Sequence, residues 1–114
     1  MQTFTLPWGP TANTMWKHSR GQHYLSDRYK KWKTEAGKEL MIQRVHSMSG
    51  PVQVRITLSY KGLWDLDNRI KPILDLLVSN QIIDGDSKET VKRIITEIGE
   101  GFEGSRITIS KLTG

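Results

Sequence analysis

Residues 52–60, VQVRITLSY, alternate without a break. Val52, Val54, Ile56, Leu58 and Tyr60 fall on one side, and Gln53, Arg55, Thr57 and Ser59 on the other. That period of two predicts a strand with one buried face. TFTL (3–6) alternates in the same way and is closed by Pro7 and the turn-rich PWGPTAN. Residues 10–25 predict an ordered loop with a short strand near QHYL. From Ser26, a favourable N-cap, Tyr29, Trp32, Ala36 and Leu40 recur at helical spacing to about Gln43. Gly37 is a weak point in that helix, and HSMSGP ends it. Ile70, Ile73, Leu74 and Leu77 predict a second amphipathic helix ending near Ser79. NQIIDGDS (80–87) is turn-rich, and its Asp-Gly step favours a tight reversal. In residues 90–98, Val91, Ile94, Ile95 and Ile98 fit a helical period, while their β-branching fits a strand; periodicity leaves both open. GEGFEGS forms a turn and RITISKL a closing strand. The predicted architecture is a single α+β domain over residues 1–114, a mixed β-sheet with two main helices.

Composition narrows the chemistry. The chain has 114 residues, enough for one core and too few for two. It contains no cysteine, which excludes disulfides, thiolate-bound zinc and cysteine nucleophiles and suits a reducing compartment. No secretory segment or run of spanning length is visible, so a soluble, cytoplasmic protein with no membrane partner is expected. The net charge is +5. Between Lys17 and Lys33, six bases (Lys17, Arg20, Arg28, Lys30, Lys31, Lys33) face one acid, Asp27, and the rest of the chain is neutral. Tyr24, Tyr29 and Trp32 interleave with those cations, and Trp16 precedes them. Such a stretch suits phosphates and exposed bases; taken alone, it also fits a solvated helix face.

LWDLDNRIKPILDLL (63–77) places Asp65 and Asp67 two positions apart, directly ahead of the second apolar helix. On extended chain, residues at that spacing point the same way. Two carboxylates about 5 Å apart repel by about 3 kcal/mol at an effective dielectric near 20, so a proton, a base or a cation must offset them. Magnesium takes one or two carboxylates together with phosphate oxygens, and it agrees best with the basic stretch. The competing reading has Asp67 or Asn68 capping the helix, with Asp65 simply exposed. Lys71, four positions after Asp67, can reach back to the same end; its other use is an ion pair with Asp75. Asp84 and Asp86 flank Gly85 in a segment that plain turn chemistry also explains. His18, His23 and His46 have no metal-ligand spacing.

DLDNRIK, a helix of about ten residues and an aspartate-rich turn, together with the opening TFTLPWGPTANTMWKHSRG, resemble the RusA family of Holliday junction resolvases over nearly the whole chain. The resemblance implies a homodimeric, magnesium-dependent endonuclease, with manganese as a substitute ion, that cuts four-way DNA junctions by paired, symmetric nicks. It places the three catalytic, metal-binding aspartates on Asp65, Asp67 and Asp86 and the catalytic lysine on Lys71. It also makes residues 90–98 a strand. Two departures stand out. The family's adjacent aspartates are replaced here by Asp-Gly-Asp, which makes Asp84 an alternative to Asp86. Pro72 follows Lys71 directly and favours a Lys71 at the helix entry instead of inside its first turn.

Within this reading, Arg20, Lys30, Lys31, Lys33 and Arg69 are expected to contact DNA phosphates, while Asn13 and Trp16 shape the junction-facing loop. Two rivals remain open on sequence: a non-catalytic basic DNA- or RNA-binding module, and a metal-dependent nuclease acting on flaps or other branched DNA.

Overall fold

The computed structural model describes residues 1–9, 16–19, 22–59, 69–85, 87 and 89–112, with the backbone alone described for 16–19 and 22–25. The strands are β1 (Gln2–Leu6), β2 (Trp16–Ser19), β3 (Gln22–Leu25), β4 (Val52–Ser59), β5 (Val91–Gly99) and β6 (Ser105–Lys111). The helices are α1 (Asp27–Ile42), between β3 and β4, and α2 (Ile70–Ser79), between β4 and β5. Four strands form one sheet in the order β1-β6-β4-β5, and β2 and β3 form a separate hairpin. β4 runs antiparallel to β6 and parallel to β5, so the sheet is mixed and α2 is the crossover of a βαβ unit. The described fold is the α+β arrangement expected from the alternation of elements.

Each long element forms for a readable reason. Ser26 caps α1: its hydroxyl oxygen accepts the Tyr29 N–H at 3.2 Å. Tyr29, Trp32, Ala36 and Leu40 are the buried residues of α1, the four that the helical spacing selects. Gly37 is accommodated mid-helix because enough burial flanks it on both sides. In β4, Val52, Val54, Ile56 and Leu58 are buried against the helices. Ser59 departs from the alternation and is also buried; its hydroxyl accepts the Gly104 N–H and donates to the Gly104 carbonyl, both at 3.1 Å. α2 is more apolar than a one-sided helix: Pro72, Ile73, Leu74, Leu76 and Leu77 are all buried. The remaining core comes from Phe4, Leu6, Met48, Ile82, Ile83, Ile107 and Ile109. The opposite sheet face is polar, with Arg55 paired to Glu97 at 3.1 Å and Thr57 donating to the same carboxylate.

Two outcomes refine the sequence reading. The loop expected over residues 10–25 contains a hairpin, β2 facing β3 from Trp16↔Leu25 to Ser19↔Gln22. Its first strand, WKHS, has three polar residues and no apolar alternation to betray it. Residues 91–99 are a strand, as the resemblance implies. Ile94 and Ile98 are 42 % and 55 % exposed, so their helical period reflects no buried stripe.

Candidate active site

Register fixes which groups share an end of the sheet. Leu6 and Leu58 both lie opposite Ser105, so the chain leaving β1 and the chain leaving β4 emerge at the same end. There Pro7, Trp8 and Gly9 form a strap between the helices. The Trp32 indole N–H of α1 donates to the Pro7 carbonyl at 2.9 Å. Gly9 lies against the same indole, where an added Cβ would come within 2.7 Å of the ring. Arg69, the residue ahead of α2, donates to the Gly9 carbonyl, and its guanidinium sits 4.6 Å from the Trp8 ring centre. Burial, and then the nearby Arg28 charge, lower the Arg69 pKa; a guanidinium remains charged at neutral pH nonetheless. The strap therefore fixes the start of α2 relative to α1 and gathers Arg28 and Arg69 at one end.

Lys71 is exposed in the first turn of α2. The expectation that Pro72 would hold it at the helix entry, short of the first turn, is corrected: α2 begins at Ile70, and Lys71 is its second residue. Proline is tolerated in a first turn, where its missing N–H has no intrahelical partner to lose. Arg69 directly precedes α2 in helical conformation and makes no side-chain cap bond; Asp67 and Asn68, the capping candidates, lie outside the described residues. Lys71 Nζ lies 4.0 Å from Asp75 Oδ1, the outer limit of an ion pair, and the lysine side chain is 58 % exposed. Such a pair constrains Lys71 little. Asp75 also accepts a long hydrogen bond, 3.5 Å, from the Tyr29 hydroxyl. Burial first, and the Asp75 carboxylate second, push the Tyr29 phenol well above its usual range, so it remains a neutral donor.

On α1, Lys30 and Lys31 are exposed, while Lys33 is half-buried with its ammonium 5.5 Å from the Tyr29 ring centre. Asn13, Arg20, Asp65, Asp67 and Asp86 lie outside the described residues, as does the side chain of Trp16. Among the described residues, no three His, Asp or Glu side chains gather as metal ligands.

The described neighbours of the acidic segments separate clearly. Arg69 and Lys71, after the Asp65–Asp67 segment, sit where β4 ends. α2 then runs back along the sheet, about 15 Å for its ten residues. Beyond it, the Ile82 carbonyl accepts the Met48 N–H, and Asp84 Oδ2 accepts the Gly50 N–H at 3.0 Å. The Ser87 carbonyl takes the Thr90 and Val91 N–H groups at the start of β5. Gly85 and Ser87, the residues bonded to Asp86, thus belong to the end of the sheet where β4 begins. Asp84, the alternative third acid, has a structural task there: it secures the chain before β4.

A family comparison adds the decisive observation. The model of the family described as Endodeoxyribonuclease RusA matches residues 7–110. The chain belongs to the RusA family. It is also 26 % identical, over 110 residues, to the crossover junction endodeoxyribonuclease rusA of Enterobacteria phage HK97, with 92 % of each chain covered.

The RusA match takes in the basic helix, the DLDN segment and the Asp-Gly-Asp turn. Sequence reasoning missed Trp8, which the structure shows stacked on Arg69. It lies in a turn-rich stretch where no periodicity marks a packed residue. Its one signal is an aromatic held between Pro7 and Gly9.

Proposed function

We propose that this protein is a Holliday junction resolvase acting in the cytoplasm as a homodimer: a magnesium-dependent endonuclease that opens four-way DNA junctions by paired, symmetric nicks. The observation that supports this most is the RusA match, which is continuous from Pro7 to Ser110 and leaves no candidate residue outside it. Asp65, Asp67 and Asp86 are the proposed ligands and catalytic carboxylates. Their oxygen donors suit a hard dication, magnesium or manganese. When bound, the ion supplies an activated water and neutralises charge at the scissile phosphate. Lys71, exposed and only loosely paired with Asp75, stabilises developing negative charge or orients the attacking water.

Arg20, Lys30, Lys31, Lys33 and Arg69 are assigned to phosphates, and Asn13 and Trp16 to the loop facing the junction. Arg69 would also hold the strap while presenting its charge, and the start of α1 brings Arg28 to the same end. Replacing Lys30, Lys31 and Lys33 together by alanine is expected to flatten the dependence of log affinity on log salt. The slope should fall by about 0.9 for each phosphate that is no longer neutralised. An unchanged slope would return these lysines to ordinary solvated surface.

The experiment that tests the assignment is cleavage of a mobile four-way junction with and without magnesium, beside three-way, flap and duplex substrates. Paired nicks in the four-way junction, dependent on the ion, are expected. Binding without hydrolysis would identify a DNA-holding module, and preference for flaps would identify a different branched-DNA nuclease.

A further inference from the structure

Both helices pack on one face of the main sheet, and its other face carries a line of arginines. Val52, Val54, Ile56 and Leu58 of β4 meet the core, so the alternate residues of that strand point to the opposite side. There Thr57 lies beside Arg106 of β6, and Gln53 lies beside Arg93 of β5. Arg55 stands between Thr57 and Gln53 on the same strand. With the strands in the order β6-β4-β5, Arg106, Arg55 and Arg93 fall on one diagonal. Each is one strand over and two residues along from the last, a separation of about 7–8 Å.

The three guanidinium groups are steadied by neighbours while remaining accessible. Arg93 donates to Gln53 Oε1 at 3.2 Å, Arg55 donates to Glu97 Oε1 at 3.1 Å, and Arg106 sits 4.4 Å from the Phe102 ring centre. Arg93 and Arg106 are exposed, and the Arg55 side chain is 43 % exposed. Glu97 is the one acid that β4, β5 and β6 place on this face. Glu103, in the turn before β6, lines a cleft with Glu35 and Glu39 of α1.

Charge and composition select the occupant. A row of cations flanked by hydroxyl and amide groups suits phosphate oxygens. Unstacked single strands are held instead by aromatic platforms, and β4, β5 and β6 contain no aromatic residue. We propose that this open face holds the phosphate backbone of a duplex DNA arm along the Arg106-Arg55-Arg93 diagonal. The line begins at the candidate site, because Arg106 follows Ser105, which lies opposite Leu58 at the end where α2 starts. Lys30 and Lys31 are exposed on α1, across the core from this face. A straight duplex reaches both sides only by bending, at an energetic cost, whereas two arms diverging from a branch point reach both directly. The proposal rests on the junction-nuclease reading above and adds a place for a second arm.

The test measures binding without magnesium, so that its outcome does not depend on cleavage. For a four-way junction, Arg93→Gln combined with Arg106→Gln should lower the slope of log affinity against log salt by about 1.8, two phosphates at about 0.9 each. Glu97→Gln should tighten binding a few-fold by removing the acid and releasing Arg55, a gain that a damaged fold would not give. On a linear duplex, where the α1 side alone can serve, the double arginine variant should change the slope much less. An unchanged junction slope together with unchanged affinity in Glu97→Gln overturns this surface. If replacing Lys30, Lys31 and Lys33 still flattens the slope in that case, the junction-binding reading survives without it. Equal losses on junction and duplex overturn the two-arm placement.

Discussion

Asp65→Asn protein is expected to bind a four-way junction as the wild type does and to leave it uncut. The substitution preserves size and most hydrogen-bonding capacity but removes one negative charge from the proposed donor set. Metal-assisted stabilisation of a phosphodiester transition state contributes several kcal/mol. At about 1.4 kcal/mol per factor of ten, its loss lowers the cleavage rate on the order of a thousandfold or more. In the proposed reading junction affinity comes from phosphate contacts made by the basic side chains, which the substitution leaves in place, and loss of a repulsive carboxylate near DNA would strengthen it slightly. Gel-shift and single-turnover cleavage on the same preparation separate the two quantities. Cutting at the wild-type rate would remove Asp65 from the reaction.

Gly104→Ala is expected to cause a large loss of stability through backbone geometry alone. Gly104 has φ +83°, and a Cβ there would lie 2.2 Å from the Leu6 carbonyl oxygen. Ser59 bonds both its N–H and its carbonyl. A side chain must therefore push β1 away or break the turn that delivers β6 into the sheet. Left-handed backbone costs roughly 1–2 kcal/mol for a residue with a Cβ, and each strained or broken hydrogen bond adds about 1 kcal/mol. About 3 kcal/mol or more is the expected total, a fall in melting temperature of roughly 10–15 °C for a domain of this size. Gly101 is the control: its φ is +89°, with nothing within 4 Å of a built Cβ, so Gly101→Ala should cost only the backbone part. Equal melting temperatures for the two variants would show that the turn gives way freely.

How far the sequence could be read depended on whether a residue's role was local. α1 was legible because its cap, its four buried residues and its end all lie within one run. β4 was legible because alternation reports a half-buried strand directly. Ser59 broke the pattern because its burial depends on Gly104, distant in sequence. Residues 91–99 defeated periodicity for a related reason: an edge strand need not bury every apolar residue, so Ile94 and Ile98 follow no packing period. The acidic pair could be singled out from charge repulsion and spacing. What no spacing could reveal was the strap of Pro7, Trp8 and Gly9, or that Arg69 both stacks on Trp8 and bonds Gly9. Such contacts are made by chain folding back over many residues, and nothing in a local pattern encodes them.

The run of α2 against β4 has a kinetic consequence. Arg69 and Lys71 at the start of α2, and Asp84 and Ser87 beyond its end, are held at opposite ends of the sheet, with a rigid helix between them. If both copies of the proposed homodimer are needed for one reaction, hydrolysis begins only on association. Nicking would then rise with the square of protein concentration at high dilution, while loose attachment to DNA would rise only in proportion.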